Sequence, residues 1–427
     1  MFSKKLNKLP VPMADFIHLA GRVADEKGVN VCVVGGFVRD LFLGVANFDL
    51  DFVVEGDGIA FATDMAARLD LSLVIHRRFG TATLHGLEGF KVDIASSRRE
   101  VYDKPAALPT VTFGKIEDDL FRRDFTINAM AIGINEHQFG RVIDYYNGLK
   151  DLKKGVIRAL HQLSFIDDPT RILRAVRFEQ RFGFKIEKET LSWIKKAQVK
   201  KMLFHVQKHR LRDELILIFK EAVPLRPLKR LNDLCGLSYI ASTLRFQNNW
   251  SGDFKAIASN ADVFSKLSVH HRRIEFYVMY MALFFFPLSV KSMKKVIIDF
   301  AFHKGESSRM LSFKESLKKV QGFLSRKELS ASRVYHLLQP LSYEVIFLIM
   351  ALSKSFIIKQ RIKHFFLKSH LVRLHVKGED LFALGIKPGP KYKMIFEKLL
   401  SAKIDGKLHD RQEELAWVQK IASGMGK

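Results

Sequence analysis

Three short constellations in this 427-residue chain hold side chains whose types and spacing suit chemistry on a phosphorylated substrate. The first joins Val33-Val34-Gly35-Gly36-Phe37-Val38-Arg39-Asp40 to Asp49-Leu50-Asp51. A strand that ends in two glycines and turns into a helix leaves backbone N–H groups facing whatever sits there, and the helix dipole favours an anion. Gly35 and Gly36 therefore read as a phosphate cradle. Asp49 and Asp51 flank one residue, so on a strand both carboxylates point to the same side of a sheet. Hard divalent ions such as Mg²⁺ take oxygen ligands and are shared between one or two carboxylates and substrate phosphates. A solvated turn after Asn47 is the competing reading, but Phe48, Leu50, Phe52, Val53 and Val54 surround the pair and favour a strand. Together these elements point to an enzyme acting on a nucleoside triphosphate. Asp93, in Phe90-Lys91-Val92-Asp93-Ile94, lies in another strand pattern and is either a third catalytic carboxylate or a structural hydrogen-bond acceptor.

The second constellation is Arg122-Arg123-Asp124-Phe125-Thr126-Ile127-Asn128-Ala129-Met130. Asp124 suits the cap of an apolar helix, and paired guanidiniums are preferred donors to phosphate oxygens, which turns Arg123 toward substrate. The third is Asp167-Asp168-Pro169-Thr170-Arg171-Ile172-Leu173-Arg174-Ala175-Val176-Arg177-Phe178. Asp168 before Pro169 is a helix start. Arg171, Arg174 and Arg177 step by three, each about 60° from the last, so they share one face that repels itself unless an anion answers it. A carboxylate beside a guanidinium also matches the amino donor and ring-nitrogen acceptor of cytosine or adenine, with Asp168 accepting and Arg171 donating.

The elements that must position these groups change character along the chain. Up to about Tyr146, β-branched runs (31–34, 50–54, 71–75, 81–84, 90–94) alternate with helical patterns such as 58–69, which predicts a mixed α/β domain. From Asp168 onward apolar positions recur at helical spacing, and the remaining two-thirds reads as all-helical. The fold class is therefore α+β. Seventy Lys+Arg against 45 Asp+Glu give +25, which favours a polyanionic partner over small neutral substrates. Cys32 and Cys235, the two cysteines, suggest no disulfide framework or cysteine metal site and suit a reducing compartment. The N-terminal residues have no apolar run after their basic ones, and Phe276 to Val290 is too short to span a bilayer and contains Pro287, so a cytoplasmic protein without a membrane segment is expected. Lys354 to Lys377 contains no acid and includes Lys359, Arg361, Lys363, Lys368 and Arg373. A solvated amphipathic helix accounts for one such run, whereas on so basic a chain it is also a footprint for RNA phosphates.

GGFVRD, DLD, RRDFTINAMAI, DYYNGLKDL (Asp144 to Leu152) and DDPTRILRAVRF, in this order, resemble the class II tRNA nucleotidyltransferases and the related bacterial poly(A) polymerases over nearly the whole chain. The resemblance implies template-independent addition of C and/or A to the tRNA 3′ end from CTP and ATP. It implies a catalytic head (1–152), a helical neck (153–222), a body (223–342) and a tail (343–427) that binds tRNA. By it, Asp49 and Asp51 hold Mg²⁺, Gly36, Arg39 and Arg123 contact the nucleotide, Asp168 and Arg171 select the base, and Arg174 and Arg177 support the site. Asp167 stands where the family usually has Glu. The segment from Arg98, Arg99 and Glu100 to Pro109 corresponds to the family's flexible loop for the switch from C to A addition, and the phrasing around it is nearest to A-adding members. A poly(A) polymerase, a non-catalytic tRNA-binding protein and a small-molecule nucleotidyltransferase are the competing functions; no protein partner is indicated.

Overall fold

The computed structural model describes residues 3–77, 80–101, 104–107, 109–268 and 273–424, which form two compact units. One comprises Met1–Glu214 with Arg230–Tyr239, the other Leu215–Lys229 with Ile240–Lys427. Residues 1–152 and most of 153–222 thus share the first unit, and the expected tail and most of the expected body share the second, residues 230–239 of that body falling in the first.

The first unit is built on a mixed sheet of seven strands. Asn30–Val34 (β1) and Ser72–His76 (β3) arise from short apolar, β-branched runs, and Asp49–Glu55 (β2), Thr81–His85 (β4) and Lys91–Ser96 (β5) from apolar residues alternating with polar ones. Arg98–Val101 (β6) pairs with Thr110–Phe113 (β7) as a separate antiparallel ribbon. Ala131–Gly133 (β8) and Val142–Ile143 (β9) complete the large sheet, whose order is β3-β4-β5-β2-β1-β8-β9. Within this sheet, among the described residues, only β2 and β5 pair in parallel, in a register that sets Asp51 beside Asp93 and Asp49 beside Lys91. Leu50, Phe52 and Val54 on β2 and Val92 and Ile94 on β5 are buried and alternate with Asp49, Asp51 and Asp93, so a slip of one residue would turn carboxylates inward and the apolar set outward. The carboxylates are held in place by that apolar penalty.

Two segments differ from expectation. The run after Asp124 is not an α-helix: Thr126–Asn128 forms one 3-10 turn and leads into β8. A short apolar run cannot be assigned by periodicity alone, and here the sheet captured it. Arg98, Arg99 and Glu100 lie on β6 rather than in a loop, because the alternation across 98–101 and 110–113 closes a ribbon. Tyr102, Asp103 and Leu108 of that segment lie outside the described residues. The helix Thr170–Phe182 starts as expected, with Asp168 Oδ1 accepting from the Thr170 N–H (3.1 Å) and Oγ1 (2.6 Å).

The described part of the second unit is helical, and its core gathers Phe276–Phe285, Lys304–Leu324 and Tyr343–Leu352. Phe276–Phe285 is ten residues long and almost wholly buried, so its apolar character is that of a core helix. Among the described residues no single helix is long and apolar enough to cross a membrane.

Candidate active site

The three constellations converge on one cleft of about 870 Å³ in the first unit. Gly36, Arg39, Asp49, Asp51, Arg123, Asp168, Arg171, Arg174 and Arg177 all line it, together with Arg98 and Glu100. Nine arginines face six carboxylates there, so the cleft is made for an anion.

Beneath Gly36, and not itself lining the cleft, Gly35 adopts φ 69° and ψ −128°, the mirror image of extended backbone, which glycine alone enters readily. A Cβ there would stand 2.4 Å from Arg123 Nη1, so the glycine also makes room for that guanidinium. Arg123 is held from below: its Nε and Nη2 donate to Asp119 Oδ2 at 3.2 and 2.9 Å. Arg122 donates to Oδ1 of the same carboxylate at 2.9 and 2.6 Å. Asp119 is fully buried, and although burial alone would raise its pKa, Arg123 and Arg122 lower it. The arginine pair is therefore aimed by a residue the sequence reading missed; its spacing of three and four from the arginines on the helix Ile116–Phe121 was the available signal.

Neither the Asp49 nor the Asp51 carboxylate accepts a hydrogen bond among the described residues. Burial pushes Asp51 up to about 6, with Asp93 and Asp49 adding to the rise and Arg123 opposing it. A crowded pair of carboxylates with no hydrogen-bond donor, set on one sheet face, fits a hard divalent ion that takes oxygen ligands. Among the described residues no group of three or more His, Cys, Asp or Glu is placed to hold a metal, so Asp49 and Asp51 would share it with substrate oxygens. Asp93 sits on the same face but is occupied: it accepts from Thr83 Oγ1 at 2.5 Å and Lys91 Nζ at 2.6 Å. It lines a neighbouring cavity, not the large cleft.

Arg39 forms the back wall, forking onto Asp40 at 2.8 and 3.0 Å and donating to Asn128 Oδ1 at 2.6 Å. Its guanidinium lies over the rings of Phe178 (5.2 Å) and Phe182 (4.9 Å). Asp124 accepts from the Phe125 N–H, from Asn128 Nδ2 and from Arg174 Nε. These partners, Arg174 foremost, overcome complete burial and hold it down to about 2. It is structural, as expected, but in a turn. Arg174 also donates to Glu214, which stands 3.7 Å from Arg177.

Asp168 gives its second oxygen to Arg210 Nη2 at 2.8 Å, and Arg171 donates to Ser164 Oγ (2.7 Å) and the Arg122 carbonyl (2.6 Å). The pair expected to read a base thus lines the cleft already oriented. Arg210 and Glu214, from a helix distant in sequence, carried no local signal. In DYYNGLKDL, Asp144 caps the helix Gly148–Lys154 by accepting from Gly148 and Leu149, and Asp151 accepts from Thr126 and Arg158, so this segment braces the turn beneath the site.

Residues 31–158 match the family model described as the poly A polymerase head domain. An A-adding tRNA nucleotidyltransferase of Geobacter sulfurreducens is 35% identical over 419 residues, covering 97% of this chain and 48% of its own length. The chain spans about half the length of the curated relatives it matches first (48%, 60% and 42%). A solved CCA-adding enzyme in an apo form superposes with a TM-score of 0.76 at 34% identity, covering 99% of this chain and 98% of that one. The Thermotoga maritima CCA-adding enzyme complexed with tRNA gives 0.71 at 34% identity, again covering 99% and 98%.

Proposed function

The chain belongs to the tRNA nucleotidyltransferase family, and on that premise we propose that it adds nucleotides to the 3′ end of tRNA from ATP or CTP, with A addition as its main activity. The observation that carries this reading is the pair of unsatisfied carboxylates, Asp49 and Asp51, opening onto an arginine-lined cleft. The A-adding preference rests on relatives of that description and on the segment between β6 and β7.

In this reading the Gly36 end of the helix Gly36–Leu43 and Arg123 bind the triphosphate, fixed by Asp119 beneath. Asp168 and Arg171 meet the base: each Asp168 oxygen keeps a lone pair for an amino group, and Arg171 donates to a ring nitrogen. Arg174 and Arg177 hold the helix Thr170–Phe182 to Asp124 and Glu214, which orients that reading edge. Asp49 and Asp51 would hold a divalent ion, Mg²⁺ in this proposal, whose chemistry is neutralisation of the phosphates and activation of the attacking hydroxyl. Lys359, Lys363 and Lys368 bind tRNA phosphates from the tail, the finer head, neck, body and tail division being part of this reading. The two unpaired cysteines suit a reducing, cytoplasmic setting.

The test is nucleotide incorporation on two tRNAs, one ending before CCA and one ending in CC, with CTP and ATP separately and together. A single A added to the CC-ended tRNA is the expected result; addition of CCA to the first makes it a complete enzyme. Long A tails on unrelated RNA would favour a poly(A) polymerase, which the head-domain match also fits. No incorporation in Mg²⁺ would overturn the reading.

A further inference from the structure

Asp51 has two sides. It lines the large cleft with Asp49, and it also lines a second cavity of about 380 Å³ with Asp93, Lys91, Thr83 and His76. Asp49 belongs only to the first cavity and Asp93 only to the second, while Arg122 and Arg123 are shared by both. The sheet register makes this arrangement: Thr83 on β4 is opposite Asp93 on β5, which is opposite Asp51 on β2, so the three lie in one row across one face. Lys91 stands beside Asp49 in the same register and reaches Asp93 at 2.6 Å.

Transfer of a nucleotidyl group brings two reactants to the same carboxylates, and Asp51 is open to two cavities. With the triphosphate in the cleft of nine arginines, the group that attacks it must approach Asp51 from elsewhere. Resting on the reading above, we infer that the second cavity receives the terminal nucleotide of the acceptor RNA, with Lys91 and His76 as donors to its phosphate and Thr83 with Asp93 facing its ribose. The lining has the right chemistry for a ribose phosphate: a half-exposed ammonium, an exposed imidazole, a hydroxyl and a carboxylate. Lys91 is then a residue that binds acceptor RNA rather than ATP. The Lys91–Asp93 ion pair holds the ammonium at the rim until the RNA phosphate takes it over.

Lys91→Ala and, separately, His76→Ala are compared with the parent enzyme in steady-state A addition to CC-ended tRNA, varying tRNA and ATP independently. Each is expected to raise KM for the tRNA about ten-fold, the worth of one charge-assisted hydrogen bond, with KM for ATP unchanged. A binding measurement without ATP closes the cycle: removing the last C weakens binding to the parent, and Lys91→Ala abolishes that difference. A rise in KM for ATP instead assigns the second cavity to the triphosphate or the departing pyrophosphate and overturns the inference, as does an unchanged KM for tRNA in both variants. If the parent enzyme adds nothing to any tRNA, it is the proposed function that fails, and the two failures are told apart by that control.

Discussion

At the scale of the residue, a single missing atom governs the floor of the cleft. Gly35→Ala would place a Cβ 2.4 Å from Arg123 Nη1 on a backbone that side chains avoid. The arginine cannot simply swing away, because Asp119 grips its other two nitrogens. We expect KM for ATP to rise about ten-fold or more, and the thermal midpoint to fall as well, the backbone strain alone being of order 1–3 kcal/mol before the contact with Arg123 is added. Asp119→Ala acts chiefly on stability. It leaves Arg123 without its buried counter-charge and Arg122 with Glu100 as its carboxylate partner, for about 3–5 kcal/mol of stability, read by urea denaturation. Asp51→Asn keeps shape and removes charge, so it should fold normally, with a denaturation midpoint at least equal to the parent's, and lose about 10³-fold in kcat, the equivalent of several kcal/mol of charge stabilisation. The residues touching substrate were legible in the sequence because their motifs are local: two glycines at a strand end, two carboxylates at strand spacing, arginines at helical spacing. The residues that aim them were less so. Asp119 had only its spacing of three and four from the arginines, and Arg210 and Glu214 are ordinary charges until the fold brings a partner, because a single sequence records no pairing between distant positions.

At the scale of the element, the helix Thr170–Phe182 was legible from its Asp-Pro start, and β2 and β5 from their alternation. The run after Asp124 was misread as helix because an apolar stretch this short fits either period, and the choice was made by pairing with β1 and β9. The joints between these elements are ionic and so respond to acid. His161, against Phe121, is pushed down to about 4 by burial and by Arg171; Asp167 at 3.9 Å is too far to restore it. Because the unfolded histidine titrates near 6.5, the unfolded chain binds the extra proton first. Its contribution is whole above pH 6.5 and is lost as pH falls from 6.5 toward 4, amounting at most to about 3 kcal/mol. Asp124, held down to about 2 by Arg174 and Asn128, contributes above pH 4 and is lost between 4 and 2. Acid denaturation of the parent should therefore begin well above the carboxylate range. His161→Phe, which keeps a ring beside Phe121, should flatten stability between pH 6.5 and 4 and leave the steep loss below 4; an unchanged slope in the upper window would remove His161 as its source.

At the scale of the whole molecule, the +25 charge argues for RNA, but position decides which cations serve it. Of the five basic residues expected to meet RNA in the tail, two are spoken for. Arg361 donates to the carbonyls of Leu324 (2.6 Å), Arg326 (2.7 Å) and Lys327 (3.1 Å), where the helix Lys304–Leu324 runs out of internal partners. Arg373 donates to the carbonyls of His370 and Val372. By contrast, the ammonium groups of Lys359, Lys363 and Lys368 make no hydrogen bond or ion pair among the described residues, although the helix Phe356–Leu367, which Lys368 follows directly, buries Ile358, Ile362, Phe365 and Phe366 beside them. A charge run therefore splits into braces and free cations, and only coordinates separate them. The two groups should differ in salt dependence. Each phosphate contact releases counterions and steepens the fall of log K with log salt by about 0.7–0.9. Replacing Lys359, Lys363 and Lys368 together by alanine should make that slope shallower by about two, with the melting temperature held within a few degrees. Arg361→Ala should instead leave the slope in place and cost about 1–3 kcal/mol through orphaned carbonyls. Fluorescence titrations with tRNA at 50 to 200 mM salt, run beside melting curves, distinguish these outcomes. A slope unmoved by the triple replacement would move the RNA footprint off this helix, and a slope changed by Arg361→Ala at intact stability would return that residue to the binding surface.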